Sequence, residues 1–424
     1  FFKQKTAYEI TRWLEFRRVL FRSNSSSFGD NNSQMSLELT FNYRFWGSYT
    51  DKSNTVILPF FMISNEPLTR KQLLRQYYQG ERNFQGTKLC LANFKSLQLN
   101  CINLRDAFLL KANFSEAELI SANFSESDLT GANFTKAVLI EAVLSQANLN
   151  SAILAKANLS GAILSHARLR EADLRQACLS GSSLISAQMS QAKLKLADLT
   201  GATLTGAKLS SANLTKARLN CAIMVEIELD FANLKKATLI RACLHRSNLQ
   251  QANCQGANFS FADLRSSDLQ ETNLSGANLE GVNLAGSNLQ GANLQEANLK
   301  GADLSNANLQ QVRLAGANLT GCNLLNANLG GADLRDANLS QAGLLLTYLV
   351  GANLKRAKLD RANLIGANLT QTNLMAASLE EAIMPNRLSG TTRCQAWLCV
   401  PPSPTRASLK EEIGDRQGLG CNSG

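Results

Sequence analysis

Histidine, proline and aromatic residues are scarce in this chain of 424 residues, and so are the motifs that carry catalysis. Only 2 residues are His, 6 are Pro and 6% are aromatic, and a typical large enzyme uses more proline and more aromatics. No motif arranges a carboxylate and a nucleophile around His166 or His245. The sequence also lacks a phosphate-binding loop, a dinucleotide fingerprint and an HExxH motif. It therefore predicts no enzyme active site and no cofactor.

Paired cysteines and long apolar runs are missing as well. The 10 Cys include no Cys-x-x-Cys pair, which removes the usual thiolate pattern of a zinc site. The apolar run at 55–63 is much too short to span a bilayer. We expect free thiols in a reducing compartment, no metal site and no membrane span, and hence a cytoplasmic protein.

The first 61 residues do not resemble the rest of the chain. Residues 1–23 resemble translated sequencing-adaptor sequence, through KQKTAYEI at 3–10 and LEFRRVLFRS at 14–23. The alternative is a basic N-terminal arm or a mitochondrial presequence. Residues 24–61 are predicted to be a poorly ordered or non-native leader. Met62 is then the expected start, with Met35 as the alternative.

A short helix is predicted within 62–81. Thr69 can cap it, Gly80 can end it, and the residues between them carry an apolar stripe. The stripe consists of Leu73, Leu74, Tyr77 and Tyr78. Because ordered repeats follow at once, we expect the helix over 69–79 to cover the open end of a solenoid.

A repeat of five residues fills 82–386. A large apolar residue, usually Leu, recurs at 61 positions from Phe84 to Met384 without a phase slip. A small residue, usually Ala, precedes it by two, and Asn or Asp often stands between them. An α-helix would spread these leucines around its axis, and a continuous strand would alternate them between faces. The chain can bury them only by turning once in each repeat.

This A-(N/D)-L-x-x unit resembles the pentapeptide repeat family. The resemblance implies an all-β solenoid, namely a right-handed four-sided parallel β-helix with four repeats per coil. About 15 coils and a rod of roughly 70 Å would then follow from the strand spacing. It also implies a possible homodimer through the C-terminal coil, because residues 387–424 are predicted to be a disordered tail without a cap.

Some inward positions depart from the Ala and Leu pattern. Cys254 and Cys322 are expected to act there as small apolar residues. Ile227 is expected to bulge its coil. Further residues that exceed Ala at the small inward site are Leu97, Ile102, Val282 and Val312, with Arg82 where the helix joins the repeats.

Charge is informative through its position. The repeats contain 27 basic and 23 acidic residues, so the rod is close to neutral overall. With four repeats per coil, residues twenty apart share a face, and one face gathers eight basic residues over roughly 24 Å with a single acid, Asp173. They are Lys136, Lys156, Arg175, Lys193, Lys195, Lys216, Lys235 and Lys236. No aromatic residue interleaves with this basic stripe.

Three classes of function follow from these features. The first is a non-catalytic scaffold that presents its surface to a macromolecular partner, most simply a protein. The second is binding of a polyanion such as nucleic acid through the basic stripe, although the stripe also fits a merely solvated face. The third, mimicry of DNA to protect a type II topoisomerase, is disfavoured because the members of the family that do so are acidic along the rod. An enzyme is the least expected.

Overall fold

The computed structural model describes residues 68–385, and the expected adaptor, leader and tail segments lie outside that range. Its one helix is α1, Arg70–Tyr78. Thr69 caps its N-terminus: the Thr69 Oγ1 accepts from the Gln72 backbone N–H at 3.3 Å, and the Gln72 Oε1 accepts from the Thr69 N–H at 2.8 Å. At the other end Gly80 takes φ +104° and the Glu81 N–H donates to the Gln76 carbonyl. These bonds satisfy the free backbone groups of the last turn.

Helix α1 is joined to the repeats by both apolar and polar contacts. Leu73 is fully buried and belongs to the same hydrophobic cluster as the first inward residues of the repeats. The Tyr77 hydroxyl donates to the Asn100 carbonyl at 2.9 Å, and the Arg82 guanidinium lies 4.1 Å from the centre of the Tyr77 ring. The prediction that Tyr78 belongs to the buried stripe is wrong, since 67% of it is exposed.

The repeats wind into a four-sided parallel β-helix. Every middle residue of a repeat from Asn83 to Asn363 forms a parallel β-bridge with the residue 20 positions further along the chain. One coil therefore takes four repeats of five residues, each a short extended segment followed by a two-residue corner. Within residues 68–385, no helix is long and apolar enough to cross a membrane.

The inward side chains of all four faces fill the rod and form one hydrophobic core. The large apolar residues and the small residues two positions before them are almost all fully buried. Near the N-terminus the core is aromatic: the rings of Phe94, Phe114 and Phe134 stack at centroid distances of 4.9 and 5.0 Å, and Phe124 meets them edge-on. Where Ser or Thr replaces the inward Ala, the hydroxyl usually donates to a carbonyl, as Ser287 does to Leu284 at 2.6 Å, whereas the Ser247 hydroxyl donates to the Ser267 Oγ at 3.2 Å.

The backbone explains why Asn and Asp occupy the middle position. In the repeat that begins at Ala297, three N–H groups bond to neighbouring coils, those of Asn298, Leu299 and Gly301. The Ala302 N–H closes the corner on the Leu299 carbonyl. The fifth N–H, of Lys300, has no backbone acceptor and donates instead to the Asn298 Oδ1 at 3.3 Å. The carboxamide thus completes the hydrogen bonding of the corner.

The second corner residue of each repeat has a positive φ. This holds for 60 consecutive repeats from Gly86 to Glu381, and 43 of the 60 residues are not glycine. Glycine is required where a neighbour crowds the corner. A Cβ at Gly281, φ +62°, would lie 2.6 Å from the Phe261 Cε1 of the preceding coil. Elsewhere the ladder between coils holds ordinary residues in the left-handed region.

Oversized inward residues are accommodated with one local distortion. Ile102, Val282 and Val312 are fully buried and keep the corner hydrogen bond, whereas Leu97 is partly exposed. In the described part of the chain the Ile227 N–H makes no such bond to the Met224 carbonyl, and the adjacent Glu226 bond to the His245 carbonyl is 3.2 Å long. The corner before Ile227 is therefore open in that this hydrogen bond is missing, whereas the bulge of the coil stays a prediction. Arg82 points outward, as expected for a residue that joins helix to rod.

Replacing Asn298 with Ala is expected to lower the free energy of unfolding by about 1–3 kcal/mol. The carboxamide accepts from the Lys300 N–H, donates to the Asn278 Oδ1 at 3.0 Å and accepts from the Asn318 Nδ2 at 3.1 Å, so three bonds are lost. Denaturant titration measures the loss. Asn298→Asp keeps the acceptor oxygen and should lose less; an equal loss in both variants would contradict a corner role for that oxygen.

Candidate functional site

Seven of the eight basic residues predicted as a stripe lie at one corner of the rod, while the eighth, Lys193, lies on the adjoining flat face. Lys193 occupies a β-bridge position between Asp173 and Asn213, and the others occupy two-residue turns. All eight side chains are exposed. Together these eight residues, predicted as the basic stripe, form the basic edge. The edge runs along the rod axis because residues twenty apart stack, which is what the repeat count predicts.

Arg175 is neutralised within this edge. Its Nε donates to the Asp173 Oδ1 at 2.8 Å and its Nη2 to the Asp173 Oδ2 at 2.6 Å. The hydrogen bond from the Arg175 side chain holds the pKa of Asp173 below its usual value. The only acid of the stripe is therefore matched to its only arginine. In residues 68–385 the seven lysines form no salt bridge.

The edge lies in the positive section of the rod. Residues 131–250 contain 14 basic and 7 acidic side chains, whereas residues 251–345 contain 4 and 8. Of the six cations of residues 131–250 that lie outside the edge, four are paired with an acid; examples are Lys208 with Glu228 and Arg246 with Glu226. The potential is thus concentrated where the unpaired lysines stand.

Apolar side chains flank the lysines. Ile153 and Leu196 are 41% and 45% exposed on the same face and corner. Phe231, 58% exposed, lies one corner earlier in the coil that carries Lys235 and Lys236. No aromatic residue lies among the basic residues themselves, so the edge has charges and a few aliphatic contacts and no stacking platform.

A second cluster of polar residues was not predicted from the sequence. Cys243, His245 and Asp263 approach on a different face, with the Cys243 Sγ 3.1 Å from the His245 Nδ1 and the Asp263 Oδ2 3.8 Å from the same nitrogen. All three are half-buried. Asp263 directly follows Cys243 in the stack, 20 residues on. Combining the four-repeat coil with a search for ligand residues at i, i+2 and i+20 would have found this cluster.

The two inward cysteines behave as predicted. Cys254 and Cys322 are fully buried, and burial raises the pKa of each thiol to about 12. Such thiols stay protonated and act as small apolar groups. Among the described cysteines, the outward ones are the candidates for chemistry.

The repeats match a known family model. The model described as pentapeptide repeats matches in 8 copies, at residues 98–135, 142–181, 182–220, 212–251, 242–281, 277–314, 313–342 and 347–385. The chain belongs to the pentapeptide repeat family. Its fold is accordingly the right-handed four-sided β-helix of that family, which confirms the resemblance and the fold class, and this pentapeptide repeat protein is a repeat scaffold.

Solved structures of pentapeptide repeat proteins are similar to the chain. HetL, involved in heterocyst differentiation regulation in the cyanobacterium Nostoc, is 31% identical over 75% of this chain and 98% of its own, with a TM-score of 0.16. A thylakoid lumen protein of Arabidopsis thaliana is 31% identical over 23% and 67%, with a TM-score of 0.22. QnrB1, a plasmid-mediated fluoroquinolone resistance protein, is 24% identical over 41% and 86%, with a TM-score of 0.31. A search of curated proteins found no match.

Proposed function

We propose that this pentapeptide repeat protein is a non-catalytic scaffold that presents its β-helical surface to a macromolecular partner. The observation that carries the proposal is the basic edge, where six exposed lysines follow one corner of the rod and Lys193 lies beside them, and none of the seven forms a salt bridge within residues 68–385. Because the rod is rigid, the spacing of these charges is fixed. The rod itself therefore loses little conformational entropy when a matching partner binds. The bound surface is expected to centre on residues 136–236.

A polyanion is the partner class that the charge pattern favours, and nucleic acid is the simplest representative. Charges spread along roughly 24 Å suit a linear array of phosphates better than a single small anion. Mimicry of DNA is not favoured, because residues 131–250 carry twice as many basic as acidic side chains. The cytoplasm is the compartment in which we expect this binding.

A salt series tests the polyanion proposal. We expect the full chain to bind a 20-bp DNA duplex, with an affinity that falls steeply as salt rises. If all seven lysines neutralise phosphates, the slope of log K against log salt approaches about −6, since each contact contributes roughly −0.9. Fluorescence anisotropy from 20 to 300 mM KCl measures it. Absence of binding at the lowest salt overturns the nucleic-acid proposal and leaves the scaffold with a protein partner.

The two ends of the rod are proposed to be covered in different ways. We take the rod to have about 15 coils, with α1 covering the first one. At the other end Leu374, Leu379 and Met384 are only partly buried, whereas the corresponding residues upstream are fully buried. A second copy placed end to end would cover them, giving a symmetric dimer. Sedimentation equilibrium tests this, and a chain that stays monomeric at 100 µM contradicts it.

A further inference from the structure

We propose that Cys243, His245 and Asp263 form a binding site for a borderline transition-metal cation of the Zn²⁺ class. Three chemically different ligand groups from two adjacent coils place one donor atom each within 4.8 Å of the others. Thiolate, imidazole and carboxylate are the three side-chain ligands that zinc uses in proteins. The three residues provide an incomplete tetrahedron whose fourth position faces solvent.

The distances fit one ion between the donors. Tetrahedral zinc with ordinary bond lengths separates S, N and O donors by roughly 3.3–3.6 Å. The Cys243 Sγ is 3.1 Å from the His245 Nδ1, and the Asp263 Oδ2 is 3.8 Å from it. Small side-chain rotations bring both separations into that range. On binding, the Cys243 thiol loses its proton to solvent, and neutral His245 uses the Nδ1 lone pair.

Arg265 supports the third ligand. Its Nε donates to the Asp263 Oδ1 at 2.8 Å and its Nη2 to the Asp263 Oδ2 at 2.7 Å. The same fork joins Asp173 to Arg175 and Asp333 to Arg335, so the Asp-x-Arg pair is a recurring feature of the corner. Only at Asp263 do a cysteine and a histidine of the preceding coil face the pair. Arg265 therefore orients the Asp263 carboxylate. The recurring Asp-x-Arg pair alone does not explain why Cys243 and His245 lie beside it.

The site also lies beside the open corner at Ile227. His245 follows Val225 in the stack, the Glu226 N–H donates to the His245 carbonyl at 3.2 Å, and the inward Ile227 lacks the corner hydrogen bond. A cation held between the coil of Cys243 and the coil of Asp263 would tie the two coils together beside this open corner. We therefore assign the ion a structural role, as a clamp between coils.

Cobalt substitution tests the site. The untagged full chain, freed of metal, is titrated with Co²⁺ and followed by absorption. One equivalent is expected to give a thiolate-to-cobalt band in the near ultraviolet and a visible band typical of a four-coordinate ion. Zn²⁺ should displace it stoichiometrically and raise the melting temperature. A chain that shows neither band, or binds only in large excess, overturns the proposal.

Matched variants locate the ion. Cys243→Ser, His245→Ala and Asp263→Asn should each weaken Zn²⁺ binding at least tenfold in competition with a chromophoric chelator. The control is Cys178→Ser, because Cys178 is also half-buried at an outward position but its thiol is hydrogen-bonded to Ser160 and Ser180 and has no histidine beside it within residues 68–385. Asp263→Asn keeps the shape of the side chain and guards against a folding defect, which circular dichroism also monitors. Unchanged binding in all three variants, or loss in the control alone, contradicts the assignment.

Discussion

Reversing Lys193, Lys195, Lys235 and Lys236 to Glu is expected to weaken duplex DNA binding by on the order of 100-fold or more at 100 mM salt. Four contacts with phosphate are lost and four repulsive charges are introduced within the two coils that carry half of the eight edge residues. The slope of log K against log salt should become shallower by about 3 to 4, since each contact contributes roughly −0.9. Anisotropy titrations of the variant measure both quantities.

The control reverses four lysines elsewhere on the rod, namely Lys88, Lys111, Lys300 and Lys358. Both sets change the formal net charge from +10 to +2, so the two variants are equal in bulk electrostatics. If the edge is the site, the control should retain most of the affinity and nearly the full salt slope. An equal loss in both variants would mean that binding follows net charge and that the edge has no special role.

Sequence reasoning reached the fold because the repeat is unambiguous in both period and phase. Leucine every five residues has no solution as a helix or a strand, and Ala two residues earlier fixes which side chains point inward. The same reasoning singled out Ile227 as oversized, and the corner hydrogen bond to the Met224 carbonyl is missing there within residues 68–385. The helix position followed from Thr69 and Gly80, but Tyr78 was misplaced because a helix with one buried turn uses only a narrow stripe.

The site was only partly accessible to the same reasoning. Residues twenty apart could be aligned into the basic edge, but the pairing of Arg175 with Asp173 depends on side-chain rotamers that a sequence does not specify. The cluster at Cys243, His245 and Asp263 escaped because motifs were sought along the chain. In this solenoid the neighbours that meet at a site are one coil apart, so a spacing of 20 carries the information that a spacing of three or four carries in a helix.

Replacing Leu284 with Ala is expected to lower the free energy of unfolding by about 2–5 kcal/mol. Leu284 is fully buried, and the inward leucines stacked above and below it, Leu264 and Leu304, are held by backbone bonds at both sides of each coil. Because those coils cannot close over the vacated volume, the cavity persists and its cost is added to the lost burial. Leu379→Ala is the matched control in the monomer, where Leu379 is only partly buried in the last coils and should lose about 1 kcal/mol or less. Denaturant midpoints, together with hydrogen exchange to locate the weakened coils, measure both variants. An equal loss at the two positions would show that the terminal coil is covered in solution, as the proposed dimer requires.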